Sequence, residues 1–485
     1  MSVILIALFA FFLRTKLYIL GNVFEDDECR LALAIMDKSL LQMFLPIGPL
    51  SSTPIFLFIS KIIAELTNYN EYALKFIPYF FSIASLVLFY KISTAYFQRK
   101  ISVLLAFYFF SINKFVLYFS SIFKTYSIEV FITLVCLYYF PKINLMKLDK
   151  KKLILLSVSI TLLPLISLPS LFFIGLFLLF SIIENFKNKL FYGKFAAVLI
   201  PFLSMFSLYY FINLLPTKKL QMEGYSSFWQ HVYSASFIAD AGVIAKFVFA
   251  PNNYPLFILI ILSFFLIYII CVKKERTKFN AYLGISLFMS AFVSYIKLYP
   301  TLIGRTALFI VPVVVMALIK LLDVLDTKHL FFYIICFLFA IGTHKYFSLL
   351  YLKEINDVVP TFRNYSPQSL IREIKIKANP KTDVIVTTES SMYSFVFYAI
   401  KEQYKIDYLI PKPKSEDNDG KNYYYNYFND LNPDKKYWFY LIKEYEYTPQ
   451  REYAIEWLKG QNVLYSKKEL DSYLYYIFGI KKKEL

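Results

Sequence analysis

Ser52-Thr-Pro-Ile-Phe-Leu-Phe-Ile-Ser-Lys-Ile-Ile-Ala-Glu65 is the stretch on which the reading of the chain turns. It is apolar for only about fourteen residues, whereas about twenty are needed to cross ~30 Å of hydrocarbon. Lys61 and Glu65 fall one helical turn apart, on one face. The short length and one-sided charge suit a helix lying in the membrane interface. Read instead as a full span, the stretch would reverse the sidedness of everything after it. The basic clusters from Arg99 to Arg276 would then all lie outside, against the positive-inside rule at every one of those loops.

Outward from that stretch, long apolar runs recur. The 485 residues are 58% hydrophobic and 20% aromatic, with a mean hydropathy of +0.52. A soluble chain of this length would show frequent charged turns between domains. Here the runs approach the length that crosses a bilayer, and the chain reads as a polytopic membrane protein. They lie at 3–20, 76–96, 101–118, 127–140, 195–212, 255–271, 280–297, 305–322 and 330–350. A further run, 153–183, is too long for one span and is broken at Pro164 and Pro169, so it reads as two short helices. The sum is about eleven transmembrane helices, N-terminus inside and C-terminus outside. Residues 1–20 lack a basic start and a small-residue cleavage site, and Arg14 and Lys16 interrupt them. They are read as an uncleaved first span.

The formal net charge of +18 does not point to nucleic acid, because no recognition motif accompanies it. Many of the lysines and arginines sit in short clusters between apolar runs: Arg99-Lys100, Lys142 through Lys152, Lys187 through Lys194, and Lys273 through Arg276, with Lys320 and Lys328 further on. The four cysteines have no paired spacing, and the three histidines, His231, His329 and His344, are far apart. Neither a disulfide framework nor a zinc site is readable, and a Ser-His-Asp arrangement is not expected.

The assigned parity brings three polar constellations to the outer face. The first is Glu25-Asp26-Asp27-Glu28, four acids in a row where the chain leaves its first span. Carboxylates are costly in hydrocarbon, so they belong in water, a cavity or a site. The second is Lys124 with Tyr126, and the third is Tyr299-Pro300 with Arg305. A second large outer loop is expected over 213–253, with Lys218, Lys219, Glu223, Trp229 and His231. From about 351 the long apolar runs stop. Thr382–Thr388, Lys405–Ile410 and Trp438–Ile442 read as strands, and 390–402 and 450–459 as helices, which predicts a small α/β domain outside the membrane.

Asp27-Glu28 just after the first span, Thr53-Pro54-Ile55-Phe56-Leu57 opening the amphipathic helix, and Lys75-Phe76-Ile77-Pro78 entering the next span form an arrangement. It resembles the GT-C glycosyltransferases, and most of all bacterial members similar to protein O-mannosyltransferases and lipid A aminoarabinose transferases. In those relatives the second outer loop carries a Tyr-Ser-x-Glu-x-Arg-x-Tyr-like pattern; the counterpart is Phe119-Ser-Ser-Ile-Phe-Lys-Thr-Tyr126. A later proline-to-arginine motif resembles Tyr299-Pro-Thr-Leu-Ile-Gly-Arg305, with Pro312 following. There are two departures. Ile122 stands where many relatives have an acid, and Lys124 stands where they have arginine, which keeps the charge but loses the planar two-point grip on phosphate.

The resemblance implies a fold and a reaction. Residues 1–350 would be a mainly α-helical, GT-C-like catalytic domain, and residues 351–485 an extracytoplasmic α/β domain. The sugar would come from a polyprenyl-phosphate donor and pass with inversion to a lipid, protein or envelope-glycan acceptor on the outer side of the cell membrane. Asp27 would be the general base, with Glu28 beside it, and Lys124, Tyr126 and Arg305 would hold the donor phosphate. Relatives differ in metal dependence, so a divalent metal ion stays open as a cofactor. Two other readings share the multi-span plan: a transporter or flippase of lipid-linked glycans, and a polysaccharide polymerase. A transporter would place charges and Gly/Pro breaks at the middle of its spans and repeat its halves; here the charges cluster in outer loops, spans are seldom interrupted and no repeat is visible.

Overall fold

The structure is a computed structural model and describes residues 2–21, 23–24, 26–48, 52–224, 278–295, 308–324, 367–387, 389–405, 407–409, 436–442 and 475–481. Helix occupies 80% of them. In chain order the helices are α1 Ser2–Leu20, α2 Asp26–Met36, α3 Pro54–Leu66, α4 Glu71–Tyr96, α5 Lys100–Ser111, α6 Lys114–Tyr118 and α7 Tyr126–Tyr139. They continue as α8 Lys150–Ile166, α9 Ser170–Asn185, α10 Lys189–Tyr209, α11 Leu215–Gly224, α12 Lys278–Tyr295, α13 Val311–Val324, α14 Pro367–Lys377 and α15 Glu389–Lys401. Four strands follow the same order: β1 Asp383–Thr387, β2 Asp407–Leu409, β3 Lys436–Ile442 and β4 Tyr475–Lys481. Contacts divide the chain into two units, Met1–Ile19 with Lys38–Tyr351, and Leu20–Asp37 with Leu352–Leu485.

The first unit is helical. Among the described residues three helices are long and apolar enough to cross a membrane: Ser2–Leu20, Glu71–Tyr96 and the continuous Lys189–Gln221. Lys100–Ser111 and Phe115–Ser121 make a fourth if counted together, bent by 55°. The chain is accordingly an integral membrane protein. α3 is 13 residues long, about 20 Å at 1.5 Å per residue, and so too short to span. The break in the 153–183 run falls between α8 and α9, at Ser167–Pro169. The expected spans at 255–271 and 330–350 lie outside the described residues.

One expectation is corrected. The second outer loop was to begin at 213, but the helix runs on through α11 to Gly224, carrying Lys218 and Lys219 on its exposed side. Pro216 supplies no amide to the preceding turn, and the wider π-turn at Tyr210–Leu214 absorbs that loss without ending the helix. Asn213 is buried there and donates to the Phe44 carbonyl at 3.1 Å.

Two buried charged groups within the helical unit tie its helices together. Arg14, in the first span, is 0% exposed. Its Nε donates to Ser82 Oγ at 2.8 Å, and its Nη1 donates to the carbonyls of Ala10 at 3.1 Å and Ser111 at 2.8 Å, joining α1 to α4 and to the end of α5. The α1–α4 seam continues with Tyr18 stacked on Tyr79 at 4.6 Å and Tyr72 donating to the Ile19 carbonyl. A second knot lies at the α4–α5 turn. Asp323 of α13 accepts from the amides of Gln98 at 2.9 Å and Arg99 at 3.2 Å. Lys320 donates to the Tyr96 carbonyl at 3.0 Å and pairs with Asp323 at 3.6 Å, both side chains buried.

The second unit is a four-stranded sheet of order β2-β1-β3-β4, with β1 parallel to β2 and β3, and β3 antiparallel to β4. Every residue of the central β1 is buried, as a strand covered on both faces requires. Asp383 at its start accepts from Trp438 Nε1 at 2.9 Å and the Asn379 amide at 3.0 Å. α14 packs on α15, and so does α2, whose buried side reads Glu28, Leu31, Ala32 and Ile35 at helical spacing. Burying Leu31 and Ile35 contributes about 1.5–3 kcal/mol each. α14 and β4 were not read from sequence, and the predicted helix at 450–459 lies outside the described residues.

Two outcomes follow. Asp323→Ala leaves Lys320 buried without its anion and should cost about 3–5 kcal/mol, seen as a large drop in Tm of the detergent-purified chain; Lys152→Ala, which removes only the exposed end of a surface pair with Asp149, should leave Tm in place. The second concerns acid. Burial alone would raise the Glu402 carboxyl, but hydrogen bonds from Arg372, at 2.9 Å, and Gln368 outweigh it and hold it below the ordinary value. A carboxyl depressed on folding stabilises the fold above its unfolded value of about 4.3, and that stabilisation fades as pH falls through the lower folded value. Thermal unfolding of Glu402→Gln against pH should therefore lose part of the acid-side slope and change less below it.

Candidate active site

The acidic run begins α2, the first helix of the second unit. Glu25 lies outside the described residues. Adjacent helix positions point about 100° apart, and Asp27 and Glu28 take different fates accordingly. Glu28 is 0% exposed and lies on the stripe that α2 turns toward α15, whereas Asp27 is half-buried on its flank. The pairing with α15 is specific. The Phe24 amide donates to the Tyr398 hydroxyl at 3.0 Å, the Phe24 and Phe397 rings lie 5.4 Å apart, and the Arg30 guanidinium sits 4.1 Å over the Tyr393 ring. Cys29 is buried, its thiol against the Phe24 carbonyl.

Lys124 and Tyr126 belong to the first unit and lie together where α7 begins. The segment before α7 folds back on itself. Phe119–Ser121 makes one tight turn, and the Lys124 amide donates to the Ile122 carbonyl at 2.7 Å across three residues. The Ser127 hydroxyl returns to the Phe119 carbonyl at 2.9 Å, and the Phe119 and Tyr126 rings meet edge-on at 4.9 Å. Phe123 is fully buried, with its ring 5.4 Å from that of Phe56 in α3. Two stretches singled out in the sequence, Thr53–Leu57 and Phe119–Tyr126, thus meet. Lys124 and Tyr126, both half-buried, flank the amide end of α7, where a helix favours anions. Ile122 is buried, a place that suits an uncharged side chain.

Glu129, in the first turn of α7, was passed over in the sequence. It is buried, and it accepts from the Thr125 hydroxyl at 2.9 Å. Thr125 therefore caps no amide of α7 and keeps a helical backbone. A threonine and a glutamate one turn apart at the start of an apolar run were a visible signal. Tyr299, Arg305, Trp229 and His231 lie outside the described residues, as does the side chain of Glu223. Among the described residues no three His, Cys, Asp or Glu side chains come together as metal ligands.

No protein-family model matches the chain, and no curated protein matches it. Among solved structures, ArnT from Cupriavidus metallidurans in the apo state is similar over 98% of this chain and 97% of its own, at 10% identity and a TM-score of 0.36. An overlap that loose identifies no residue and no activity.

The split between the two acids makes a direct test. Glu28→Ala removes a fully buried polar group and should cost about 1–3 kcal/mol, lowering Tm. Asp27→Asn, half-buried and of the same shape, should shift Tm less than Glu28→Ala does.

Proposed function

We propose that the chain is an inverting glycosyltransferase of the membrane, moving a sugar from a polyprenyl-phosphate donor to an extracytoplasmic lipid, protein or glycan acceptor. The observation that carries this reading is Asp27. It is a carboxylate with its side chain partly open to solvent, on a helix held by a packed unit, directly after the first span. The arrangement of Asp27-Glu28, Thr53–Leu57 and Phe119–Tyr126 supports it, as does the placing of Lys124 and Tyr126 at the amide end of α7.

The chemistry suits these groups. The acceptor hydroxyl attacks C1 of the sugar as the bond from C1 to the phosphate oxygen breaks. Asp27 takes the hydroxyl proton, the electron pair leaves with the polyprenyl phosphate, and a single in-line displacement inverts C1. A glycosidase needs a second carboxyl to protonate a poor leaving group. A phosphate leaves without that help when positive charge meets it, which is the part assigned to Lys124 and Arg305, with Tyr126 as a hydrogen-bond donor. An apolar Ile122 is compatible with such a scheme. Glu28, being buried, supports α2 and does not itself meet the acceptor.

General-base assistance is worth roughly 10²–10⁴ in rate, so Asp27→Asn should reduce transfer by that order while folded protein and donor binding persist. Transfer is read in membranes with a radiolabelled polyprenyl-phosphate sugar, and a normal rate in that variant removes Asp27 from the mechanism. Lys124→Ala and Arg305→Ala should each raise the donor KM. Parent values in both would withdraw the phosphate assignment.

A further inference from the structure

The C-terminal unit contains a helix supplied from far earlier in the chain, its Phe24–Tyr398 contact spanning 374 residues, which is an unusual use of so short a segment: about ten residues are marginal as a helix in water on their own. α2 has 11 residues, and its stripe of Glu28, Leu31, Ala32 and Ile35 is covered by α15. Its entry is fixed as well, because the Phe24 amide is bound by the Tyr398 hydroxyl and the Phe24 ring by Phe397. Past Asp27, Arg30 is drawn onto the Tyr393 ring of the same helix. Tyr393, Phe397 and Tyr398 thus lie within about one and a half turns of one helix and contact Phe24 and Arg30, which flank Asp27 in sequence.

From this clasp we propose that the C-terminal unit is a positioning device for the carboxylate of Asp27, with Tyr398 and Phe397 as its positioning residues. The proposal rests on the reading of Asp27 as general base. α15 in turn is seated on β1 and β3, so the clasp is anchored in the sheet. A base held in this way contributes to the proton-transfer step and not to donor capture, which predicts how kcat and KM divide.

The test uses the full-length chain in detergent–lipid micelles with a polyprenyl-phosphate sugar donor. Tyr398→Phe removes the hydroxyl that accepts the Phe24 amide but keeps the ring, and the loss of one such hydrogen bond should lower kcat about 3–10-fold at an unchanged donor KM. Phe397→Ala should do the same to a greater degree, and amide exchange across 26–36 should quicken in both. Trp438→Phe is the control: it breaks the buried bond to Asp383 in the same unit, so it should lower Tm while kcat per folded molecule stays at the parent value. A parent kcat in Tyr398→Phe, or an equal loss in Trp438→Phe, overturns the positioning role. Failure of the base reading looks different, since it is an active Asp27→Asn variant. If Asp27→Asn is inactive and Tyr398→Phe is normal, the base stands and the clasp falls.

Discussion

A guanidinium inside an apolar helix must find partners, and in the first span of this chain that requirement organises the helices around it. Arg14 is wholly enclosed and spends its donors on Ser82 and on the carbonyls of Ala10 and Ser111. A buried charge left unpaired costs several kcal/mol, so α1, α4 and the end of α5 are held to one arrangement. Ser111 closes α5, and Asn113 then caps the next short helix by accepting from the amides of Phe115 and Val116. The chain passes from there directly into the Phe119–Tyr126 fold-back. The position of Lys124 is thus traceable, through two caps and one turn, to an arginine that in the sequence merely interrupts a greasy run.

The same contrast marks the other basic residues. Lys320 reads as an inside marker by its place between apolar runs, but the structure encloses it with Asp323 against the turn after α4. Charge counting sees the sign of a residue and not whether its carbonyl partner lies 224 residues away. Lys194 is another case, donating to the carbonyls of Met146 and Leu148 and so closing the turns before α8. Such lysines contribute to both sidedness and packing, and only the first of these is visible in one dimension.

Length and period were the legible quantities. The first span, the short α3, the break after Ile166 and the strand at 383–387 all follow from how many apolar residues occur in a row and at what spacing. The continuation of α10 into α11 was not legible, because a proline ordinarily ends a helix and only a widened turn lets it pass. β4 was missed because an edge strand paired on one side carries a weaker pattern than a central one. In the candidate site, Glu129 was not legible for a different reason: an acid in the first turn of a helix is ordinarily a solvated partner of the helix dipole, and only the fold shows this one enclosed.

The acidic run is a cluster in sequence but not in space. Four carboxylates in sequence suggest several acids acting together, yet helical geometry separates the last two at once. Glu28 shares the 28, 31, 32, 35 spacing of a buried stripe, which the sequence itself displays, and the structure encloses it. Asp27 is left beside that stripe with its carboxylate partly exposed. The enclosed acid and its apolar companions give α2 a surface for α15 to grip, and the grip is what gives an 11-residue helix a fixed place. Burial at Glu28 therefore fixes the helix on which Asp27 rides, and the two acids are better understood by their different places on that helix than as a pair.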